Sequence, residues 1–486
     1  MIKSNQLVYE TPQFEVLTEE MREAIFSAAL EILQRTGVNI QHEDALSLLK
    51  DAGARVVNDV AYIPERMVRD ALRSAPSKIL IYDRDGSPAM RLEPGYYYFG
   101  TGSECPNILD TETGEIRHFL QNDIKEAVTI MDALENIDFV MSLGIIWDRS
   151  VHVADIVQFQ EMVFNTNKPI VFTSYDKRGN EDIYKMAAIA AGNEGDLAAH
   201  PFIVHYIEPS SPLRASKEAL EKLLFCAENG IPAIYTPCPS GGATAPVTMA
   251  GTLAQTLAES LSGIVVSQLK QPGAPVILGG VLTVMDMKTT TYLYGGPEFH
   301  IMEAALGEIG KYLGIPVFGT AGCSDSKVAD QQAAIEGTLS IALGMLSGAN
   351  LIHDVGYLSS GLVGSNDMLV MSNETIGMMK RFMRGIKIDE EHLALDLIDK
   401  IGPKGNFLAE PHTMRHFREE QWYPELLDRR GYDKWEKEGS KPLGQKVNEK
   451  TKIILREHKP EPLEDSKQKE ILDLIAHEEK YRQVRY

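Results

Sequence analysis

The stretch that decides the fold is Ile315–Tyr357, with the sequence IPVFGTAGCSDSKVADQQAAIEGTLSIALGMLSGANLIHDVGY. Two short apolar runs, Ile315–Phe318 and Asn350–Ile352, flank one long amphipathic helix pattern, and small or polar residues follow each run. Strand, polar loop, helix, strand and polar loop together are the βα unit of a parallel sheet. In such sheets the chemistry lies where the strands end. The number of times that this unit repeats therefore decides the architecture.

The unit repeats eight times over residues 96–386. The strands are predicted at Tyr96–Gly100, Phe139–Ile145, Pro169–Thr173, Phe202–Tyr206, Ala233–Thr236, Val276–Gly279, Pro316–Phe318 and Leu351–Ile352. The helices are predicted at Asp123–Leu134, Ala154–Phe164, Glu181–Ala191, Lys217–Glu228, Ala250–Leu269, Ile301–Tyr312, Gln331–Leu346 and Asn373–Arg384. Eight βα units over roughly 290 residues predict an α/β fold of the (β/α)8 TIM-barrel type, whose usual size is about 250 residues or more. A doubly wound open sheet is the alternative, but no GxGxxG motif follows the first strand.

Two extensions flank this region. Residues 1–95 are predicted to form an N-terminal α/β lead-in, which alternates helix patterns such as Glu19–Arg35 with short strand patterns such as Val60–Ile63 and Ile79–Tyr82. Residues 387–486 are charged and poor in strand patterns, which predicts a helical C-terminal extension. Its last part, Lys441–Tyr486, is interpreted as a solvated arm or an oligomer contact.

Charge and composition exclude several classes of partner. The chain has 486 residues, with Lys+Arg 48 against Asp+Glu 69 and a net charge of −21. Such a charge disfavours nucleic acids and anionic membranes as partners. The N-terminus has no apolar signal-peptide region and no run of 18 apolar residues occurs, so we expect a cytoplasmic protein. The four cysteines show no CxxC spacing, which predicts reduced thiols.

Aromatic residues are frequent near the predicted carboxyl rim of the barrel. Aromatic faces bind quaternary ammonium groups by cation–π attraction, about 0.5–2 kcal/mol for each ring. For any single ring, packing beneath the helices is the stronger interpretation, so an aromatic cage is a hypothesis about the whole group. Its members are Tyr97, Phe99, Trp147, Tyr175, Tyr206 and Tyr357.

Histidines and cysteines also map to this rim, and they raise the alternative of a zinc site that activates a thiol. The ligands would come from scattered strands without a paired-cysteine motif, so no metal site is predicted. His412 and His416 have the i,i+4 spacing of a zinc-protease helix but lack the adjacent Glu of HExxH, and they are interpreted as structural. Lys327 suggests a Schiff base, but nearby Asp325 and Asp330 would hold it charged. The rim candidates are Cys105, Cys238, Cys323, His205 and His353.

Six stretches together resemble one known family. They are Ala29–Val38, Phe99–Asp110, Gly296–Ile315, Cys323–Asp330, Ala349–Leu362 and Pro411–Phe417. The chain resembles the trimethylamine methyltransferase superfamily over nearly its whole length, and especially the members without pyrrolysine, such as the glycine betaine:corrinoid methyltransferases. The resemblance implies a (β/α)8 barrel that transfers a methyl group from an amine to the Co(I) corrinoid (cobalamin-type cofactor) of a separate carrier protein.

The resemblance also bears on the substrate. The trimethylamine enzymes of this family carry pyrrolysine in the pocket, and this sequence shows no such residue. A tertiary amine has no positive charge to make its nitrogen a good leaving group, whereas a quaternary amine carries its own. We therefore expect a quaternary amine, with glycine betaine first and carnitine, proline betaine and choline behind it. The alternatives are a non-catalytic betaine-binding protein and a zinc-dependent thiol methyltransferase.

The expected site follows from this reading. His353 is predicted to be catalytic and to face the corrinoid, and we expect no tightly bound cofactor, a corrinoid carrier protein as partner, a homo-oligomer, and a place in the one-carbon metabolism of methanogenesis or acetogenesis. The predicted substrate-binding residues are Tyr97, Phe99, Glu104, Trp147, Ser174, His205, Tyr206 and Tyr357. The residues predicted to face the corrinoid, besides His353, are Gly319, Cys323, Asp325 and Ser326. Glu104 and Glu208 are expected to lie away from the ammonium group or to be paired elsewhere.

Overall fold

A parallel sheet of seven strands forms the centre of an α/β fold in the computed structural model, which describes residues 14–485. In the order in which they pair, the strands are Tyr98–Phe99, Leu351–His353, Val317–Thr320, Val276–Gly279, Ala233–Tyr235, Ile203–Ile207 and Ile170–Phe172. They correspond to seven of the eight predicted strands. Residues 1–13 and Tyr486 lie outside the described residues. The prediction about a signal peptide concerns mainly residues 1–13.

The one predicted strand that the sheet does not include is Phe139–Ile145, the second in the chain. It is an irregular segment that lies between the two edge strands. On one side the N–H of Asp138 donates to Phe99 O at 2.7 Å, and on the other the N–H of Val171 donates to Val140 O at 2.9 Å. The chain then turns at Leu143, whose φ is 65°. The parallel α/β sheet is therefore confirmed, but eight regular strands are not, because this turn ends the pairing after a few residues.

Eight helices between and after the strands cover the outside of the sheet. Aspartate or serine caps begin several of them; the side chains of Asp176, Ser216, Asp330 and Ser365 each accept a hydrogen bond from a first-turn N–H. The helices are Gln121–Ala133, Ala154–Asn165, Lys177–Ala191, Lys217–Asn229, Met249–Lys270, Pro297–Leu313, Gln331–Ser347 and Asn366–Met383. Each predicted helix is found, with ends shifted by a few residues.

The interior of the sheet is filled from its amino end by a hairpin, Ile79–Tyr82 paired with Pro88–Leu92. Alternate strand residues join this hairpin in one apolar cluster, while their neighbours pack against the outer helices. The inward residues of the cluster are Tyr98, Phe139, Met141, Val171, Val204, Tyr206, Ile234, Ile277, Phe318 and Leu351. Because the amino end is full, an interior cavity can exist only at the carboxyl end.

Both extensions share the outer core with the sheet's helices, because one apolar cluster includes Ile25 near the start and Ile475 near the end. The remaining helices are Glu19–Glu31, which continues as the π-turn Ile32–Thr36, then Glu43–Asp51, Glu65–Ser74, Glu194–Ala199, Glu390–Leu393, Leu395–Ile401, Pro411–Glu420, Tyr432–Lys437, Leu443–Glu457 and Asp465–Arg485. Within residues 14–485 no helix has both the length and the apolar character to cross a bilayer.

The remaining strands are short. Three small sheets consist of Val38–Ile40, Arg55–Val57, Val60–Tyr62 and Arg214–Ala215; of Ser240–Gly241 and Thr283–Val284; and of Asn107–Leu109, Ile116–His118, Tyr357–Leu358 and Val363–Ser365. The last of these contains a hairpin, in which Asn107–Leu109 pairs antiparallel with Ile116–His118. It also brings the segment after the last central strand beside the segment after the first one.

Candidate functional site

The floor of the site is a group of three rings at the carboxyl end of the interior. Phe318 and His353 stack with centroids 4.1 Å apart, and Tyr206 lies 5.6 Å from Phe318 and 5.9 Å from His353. All three come from strand positions that face inward, above the apolar filling. The rings close the interior below and present an aromatic surface to the space above them.

His353 and Asp354 carry an unusual local geometry. His353 Nε2 is hydrogen-bonded to Thr320 Oγ1 at 2.9 Å. His353 Nδ1 lies 2.8 Å from Asp354 Oδ1, but out of line, so that neither of these buried atoms has a hydrogen-bond partner in the described part of the chain. Asp354 also has a φ of 69°, which is strained for a residue with a side chain. Strain and unsatisfied buried atoms together are typical of functional sites.

Glu104 is held at the mouth by hydroxyl and amide donors. The Tyr357 hydroxyl donates to Glu104 Oε2 at 2.6 Å, and the Ser103 hydroxyl donates to Oε1 at 2.7 Å. The Glu104 N–H in turn donates to the Tyr357 oxygen at 2.8 Å. Glu104 and Tyr357 are 253 residues apart in the chain, and this contact joins the loops after the first and last central strands.

Glu208 lies beside Tyr206 at the carboxyl end of the interior. Its surroundings desolvate the carboxyl group and, together with the charge of Glu104, raise its pKa to about 7. The side chain is also exposed to solvent. A group that protein surrounds and that solvent still reaches lies in a concave part of the surface, and we call this space, above the floor, the cavity. The Tyr206 hydroxyl donates to Glu208 Oε2 at 3.3 Å, and Cys238 Sγ lies 3.8 Å from that hydroxyl oxygen.

Two tyrosines that the sequence reasoning missed belong to the same cavity. Tyr292 and Tyr294 lie in the loop after the Val276–Gly279 strand, with ring centroids 5.4 Å apart. Desolvation raises the pKa values of both hydroxyl groups well above the usual value. Asp354 and Cys238 shift these pKa values in the same direction by charge repulsion. The two-residue spacing of the tyrosines is the signal that was available in the sequence, since it places both rings on one side of an extended segment.

Three predictions of substrate contact were wrong about the direction of the side chain. Tyr97 and Phe99 pack in the outer layer, where their rings meet edge to face, and the inward position is Tyr98. His205 also faces outward, stacked on Phe172 with its Nδ1 3.3 Å from Cys226 Sγ. The reason is the two-residue period of a strand, in which a shift of one position moves a side chain to the other face.

Trp147, Tyr175 and Ser174 lie at or behind the rim. Trp147 is 57% exposed and stacks on His118, outside the floor of the cavity. Tyr175 is also exposed, and Ser174 Oγ is 3.1 Å from His205 Nε2. Burial lowers the pKa of His205 well below its usual value, so this pair is neutral.

The residues predicted to face the corrinoid mostly stabilise loops. A side chain at Gly319 would point toward Ala349 and the helix layer, and Cys323 is fully buried in the outer core. Asp325 accepts hydrogen bonds from the N–H groups of Tyr294 and Gly295, and the Ser326 hydroxyl donates to the capping residue Asp330. In this structure the side chains of Asp325 and Ser326 stabilise loops, and contact of these residues with a corrinoid stays a prediction. Lys327 is exposed and donates to Asp325 O, which gives the Schiff-base reading no support.

Lys222 is a cation near Glu208 that the sequence did not single out. It lies on helix Lys217–Asn229, and its Nζ donates to Ser174 O at 3.0 Å. Burial lowers its pKa, while the charges of Asp155 and Glu208 act in the opposite direction. The cavity thus has a rich set of carboxylates and rings, with one lysine at the side of Ser174.

Exposed apolar residues surround the open end. They lie on the loops that follow the carboxyl ends of the strands, as the cavity does. The most exposed are Met287 at 67%, Tyr175 at 62%, Val247 at 60%, Trp147 at 57%, and Val151 and Leu362 at 55%. We call these six residues the apolar crown. A group of exposed apolar residues around a cavity is typical of an interaction surface.

Comparisons with known proteins give consistent relatives. The family model described as "Trimethylamine methyltransferase (MTTB)" matches residues 2–482. The trimethylamine methyltransferase MttB of Desulfitobacterium hafniense is 35% identical over 452 residues, which cover 92% of this chain and 90% of that protein. The glycine betaine methyltransferase of another strain of that species is 29% identical over 432 residues, covering 88% and 89%. The crystal structure of the Methanosarcina barkeri monomethylamine methyltransferase MtmB matches with a TM-score of 0.52 at 13% identity, covering 93% of this chain and 89% of that one, which shows likeness of fold alone.

The close packing at Gly102 generates a prediction. A Cβ atom there would lie 2.1 Å from both Asp354 Oδ1 and the Tyr357 hydroxyl oxygen, so Gly102→Ala must displace one of them. We expect the free energy of unfolding to fall by about 1–3 kcal/mol, as for other overpacked buried positions. Chemical denaturation of Gly102→Ala beside Gly444→Ala measures this; Gly444 lies in a helix with open space around it, so its alanine variant should be neutral or slightly stabilising. Equal stability of the two variants would contradict the packing described for Gly102.

Proposed function

Because the chain belongs to the trimethylamine methyltransferase family, we propose that it transfers a methyl group from a quaternary amine, glycine betaine first, to the Co(I) corrinoid of a separate carrier protein. The observation that carries the proposal is the cavity at the carboxyl end, where the rings of Tyr206 and His353 meet the carboxylates Glu104 and Glu208. Rings and carboxylates together are suited to a small organic cation. The named relatives act on trimethylamine and on glycine betaine, which supports a methylated amine as the substrate class.

The chemistry asks little of the protein beyond position. A Co(I) corrinoid is a strong nucleophile that needs no general base, and a neutral tertiary amine leaves without a general acid. What remains is the alignment of methyl group, nitrogen and nucleophile, from which proximity supplies up to about 7–11 kcal/mol. The floor of Tyr206, Phe318 and His353 is the surface against which the amine would be aligned.

The carboxylates are arranged in a way that suits methyl loss. The positive charge of the substrate disperses as the methyl group leaves, so a carboxylate in direct contact would stabilise the bound substrate more than the transition state. Glu104 accepts hydrogen bonds from Tyr357 and Ser103, and Glu208 accepts one from Tyr206. The charge of the two carboxylates attracts a cation into the cavity. The hydroxyl groups that donate to them reduce the strength of any direct contact between a carboxylate and the ammonium group.

Two structural inferences belong with this proposal. We take segment 138–141 as the eighth strand that closes a (β/α)8 barrel, since its backbone bonds to both edge strands. We also take the apolar crown as the surface on which the carrier protein docks, because it surrounds the cavity that its corrinoid must reach.

The two alternatives differ in what they need. A betaine-binding protein without chemistry would need the cavity but no exposed crown around it. A zinc-dependent thiol methyltransferase would need cysteines gathered around a metal, and within residues 14–485 the ligand groups that come together include no cysteine. Cys105 and Cys323 are also fully buried, away from solvent. The observations therefore favour transfer to a corrinoid.

The direct test is spectroscopic. The purified protein is mixed with the carrier protein in its Co(I) form and with one amine at a time, and the absorbance of the corrinoid is followed. We expect the Co(I) spectrum to change to that of methyl-Co(III) with a quaternary amine. An unchanged spectrum with glycine betaine, carnitine, proline betaine, choline and trimethylamine, in the presence of measured amine binding, would favour the binding protein.

His353→Ala tests the predicted catalytic role. The substitution removes one wall of the floor and the ring that stacks on Phe318, so we expect methyl transfer to slow by about 100-fold through lost alignment. The dissociation constant of the amine, measured by calorimetry, should change much less. His477→Ala, on an exposed helix position, is the control. If the variant lost amine binding while the carrier protein still docked, the prediction that His353 faces the corrinoid would be wrong.

Lys222→Met distinguishes the candidate amines. Glycine betaine has a carboxylate that Lys222 can pair with, whereas choline has none, and methionine keeps the apolar stem. We expect betaine to bind about 10-fold to 100-fold more weakly, the loss of one charged hydrogen bond, with choline unaffected. Calorimetry with both ligands measures this, and Lys185→Met on the exterior serves as the control. An equal loss for both ligands would show that Lys222 supports the cavity walls and does not select a carboxylate.

A further inference from the structure

A second cluster of ligand-type side chains lies far along the chain from the residues of the cavity, in the C-terminal extension. His412 and His416 are one turn apart on helix Pro411–Glu420, with ring centroids 4.5 Å from each other. Glu391, on the short helix Glu390–Leu393, reaches the same place, and its Oε1 is 3.0 Å from His416 Nε2. One ligand atom from each of these three residues lies within 4.8 Å of the other two.

The 3.0 Å between His416 Nε2 and Glu391 Oε1 suits two ligands of one ion, and the other separations, up to 4.8 Å, would have to shorten around it. Histidine nitrogen and carboxylate oxygen bind zinc at about 2.0–2.2 Å, so two ligands of a tetrahedral zinc lie about 3.3 Å apart. Two histidines and one glutamate are a donor set that zinc uses when one position remains open to water. The side chain of Glu391 is 53% exposed and that of His416 is 18% exposed, so an ion can enter from solvent.

A third histidine lies beside the cluster without belonging to it. His392 is next to Glu391, with its ring centroid 5.1 Å from that of His416. Its Nδ1 is 2.6 Å from Asp389 Oδ1 and its Nε2 is 3.9 Å from Glu420 Oε1, so carboxylates outside the cluster face both of its nitrogens.

The competing reading is an ordinary ion pair. Arg415 NH2 is 2.7 Å from Glu391 Oε1, and a protonated His416 could pair with the same carboxylate. An arginine at that oxygen would compete with a metal ion for it. His412 Nε2 is also hydrogen-bonded to Glu391 O, at 3.1 Å, so both histidines face Glu391 and a metal ion placed between them would replace these bonds.

We propose that Glu391, His412 and His416 form a zinc site that ties helix Glu390–Leu393 to helix Pro411–Glu420. An ion bound there would close the loop between the two helices, with water as its fourth ligand, and Arg381 joins the end of the second helix to the rest of the chain by donating to Glu420 O. The site is independent of methyl transfer, because its residues lie outside the cavity described above.

Calorimetric titration of the chelator-treated full chain with ZnCl2 at pH 7.5 tests the proposal. We expect one zinc per chain, no binding at this site in the His412→Ala/His416→Ala double variant, and unchanged binding in His477→Ala. Glu391→Gln should weaken zinc binding by about 10-fold or more, the effect expected when a contributing carboxylate is lost from a metal site. Arg415→Met should bind zinc as tightly as the unaltered chain or more tightly, because it removes the competing cation.

Cobalt provides a second measurement that does not depend on activity. Co²⁺ in a tetrahedral site of nitrogen and oxygen ligands gives visible absorption bands, which we expect in the unaltered chain and not in the double variant. Zinc should also slow proteolysis within residues 386–420 in the unaltered chain alone. Equal zinc binding by the unaltered chain and the double variant, or no zinc binding by either, would overturn the proposal. Methyl transfer should be the same in the double variant and the unaltered chain, which keeps this test separate from that of the catalytic cavity.

Discussion

The filling of the sheet interior from one end is the constraint on which the rest of the structure depends. The hairpin Ile79–Tyr82 with Pro88–Leu92 occupies the amino end, and the inward side chains of the strands pack on it layer by layer. Close packing of this kind leaves no space for a ligand among the apolar layers. The space that remains lies above Tyr206, Phe318 and His353, where the loops after the strands supply the polar groups.

The electrostatic character of the cavity follows from its depth. Glu208 is surrounded by protein and close to Glu104, so its carboxyl group has a pKa near neutrality, about 7, while water still reaches it. Hydroxyl groups of Tyr206 and Tyr357 satisfy these carboxylates and keep them in place. The cavity therefore presents rings and hydrogen-bonded carboxylates, an environment suited to the proposed loss of a methyl group from an ammonium group.

The family relationship and the geometry support the proposal in different ways. The relatives named for trimethylamine and for glycine betaine place the chain among methyltransferases, and the likeness to a monomethylamine methyltransferase concerns the fold alone. Neither relation identifies the amine. The position of Lys222 beside Ser174 is the structural feature that bears on this choice, because a carboxylate on the substrate needs a cation and choline does not.

The sequence by itself determined the strand and helix rhythm, the parallel sheet, the rim to which Glu104, Glu208 and His353 belong, and the resemblance to the family, because periodicity and turn residues are local properties of the chain. Only the tertiary structure decided which side chains face the cavity. Strands buried on both faces are apolar on both faces, so nothing in the sequence distinguished Tyr98 from Phe99 or Tyr206 from His205. Likewise, the bond between Tyr357 and Glu104 and the convergence of Glu391 with His412 and His416 join residues far apart in the chain, and only folding brings such residues together.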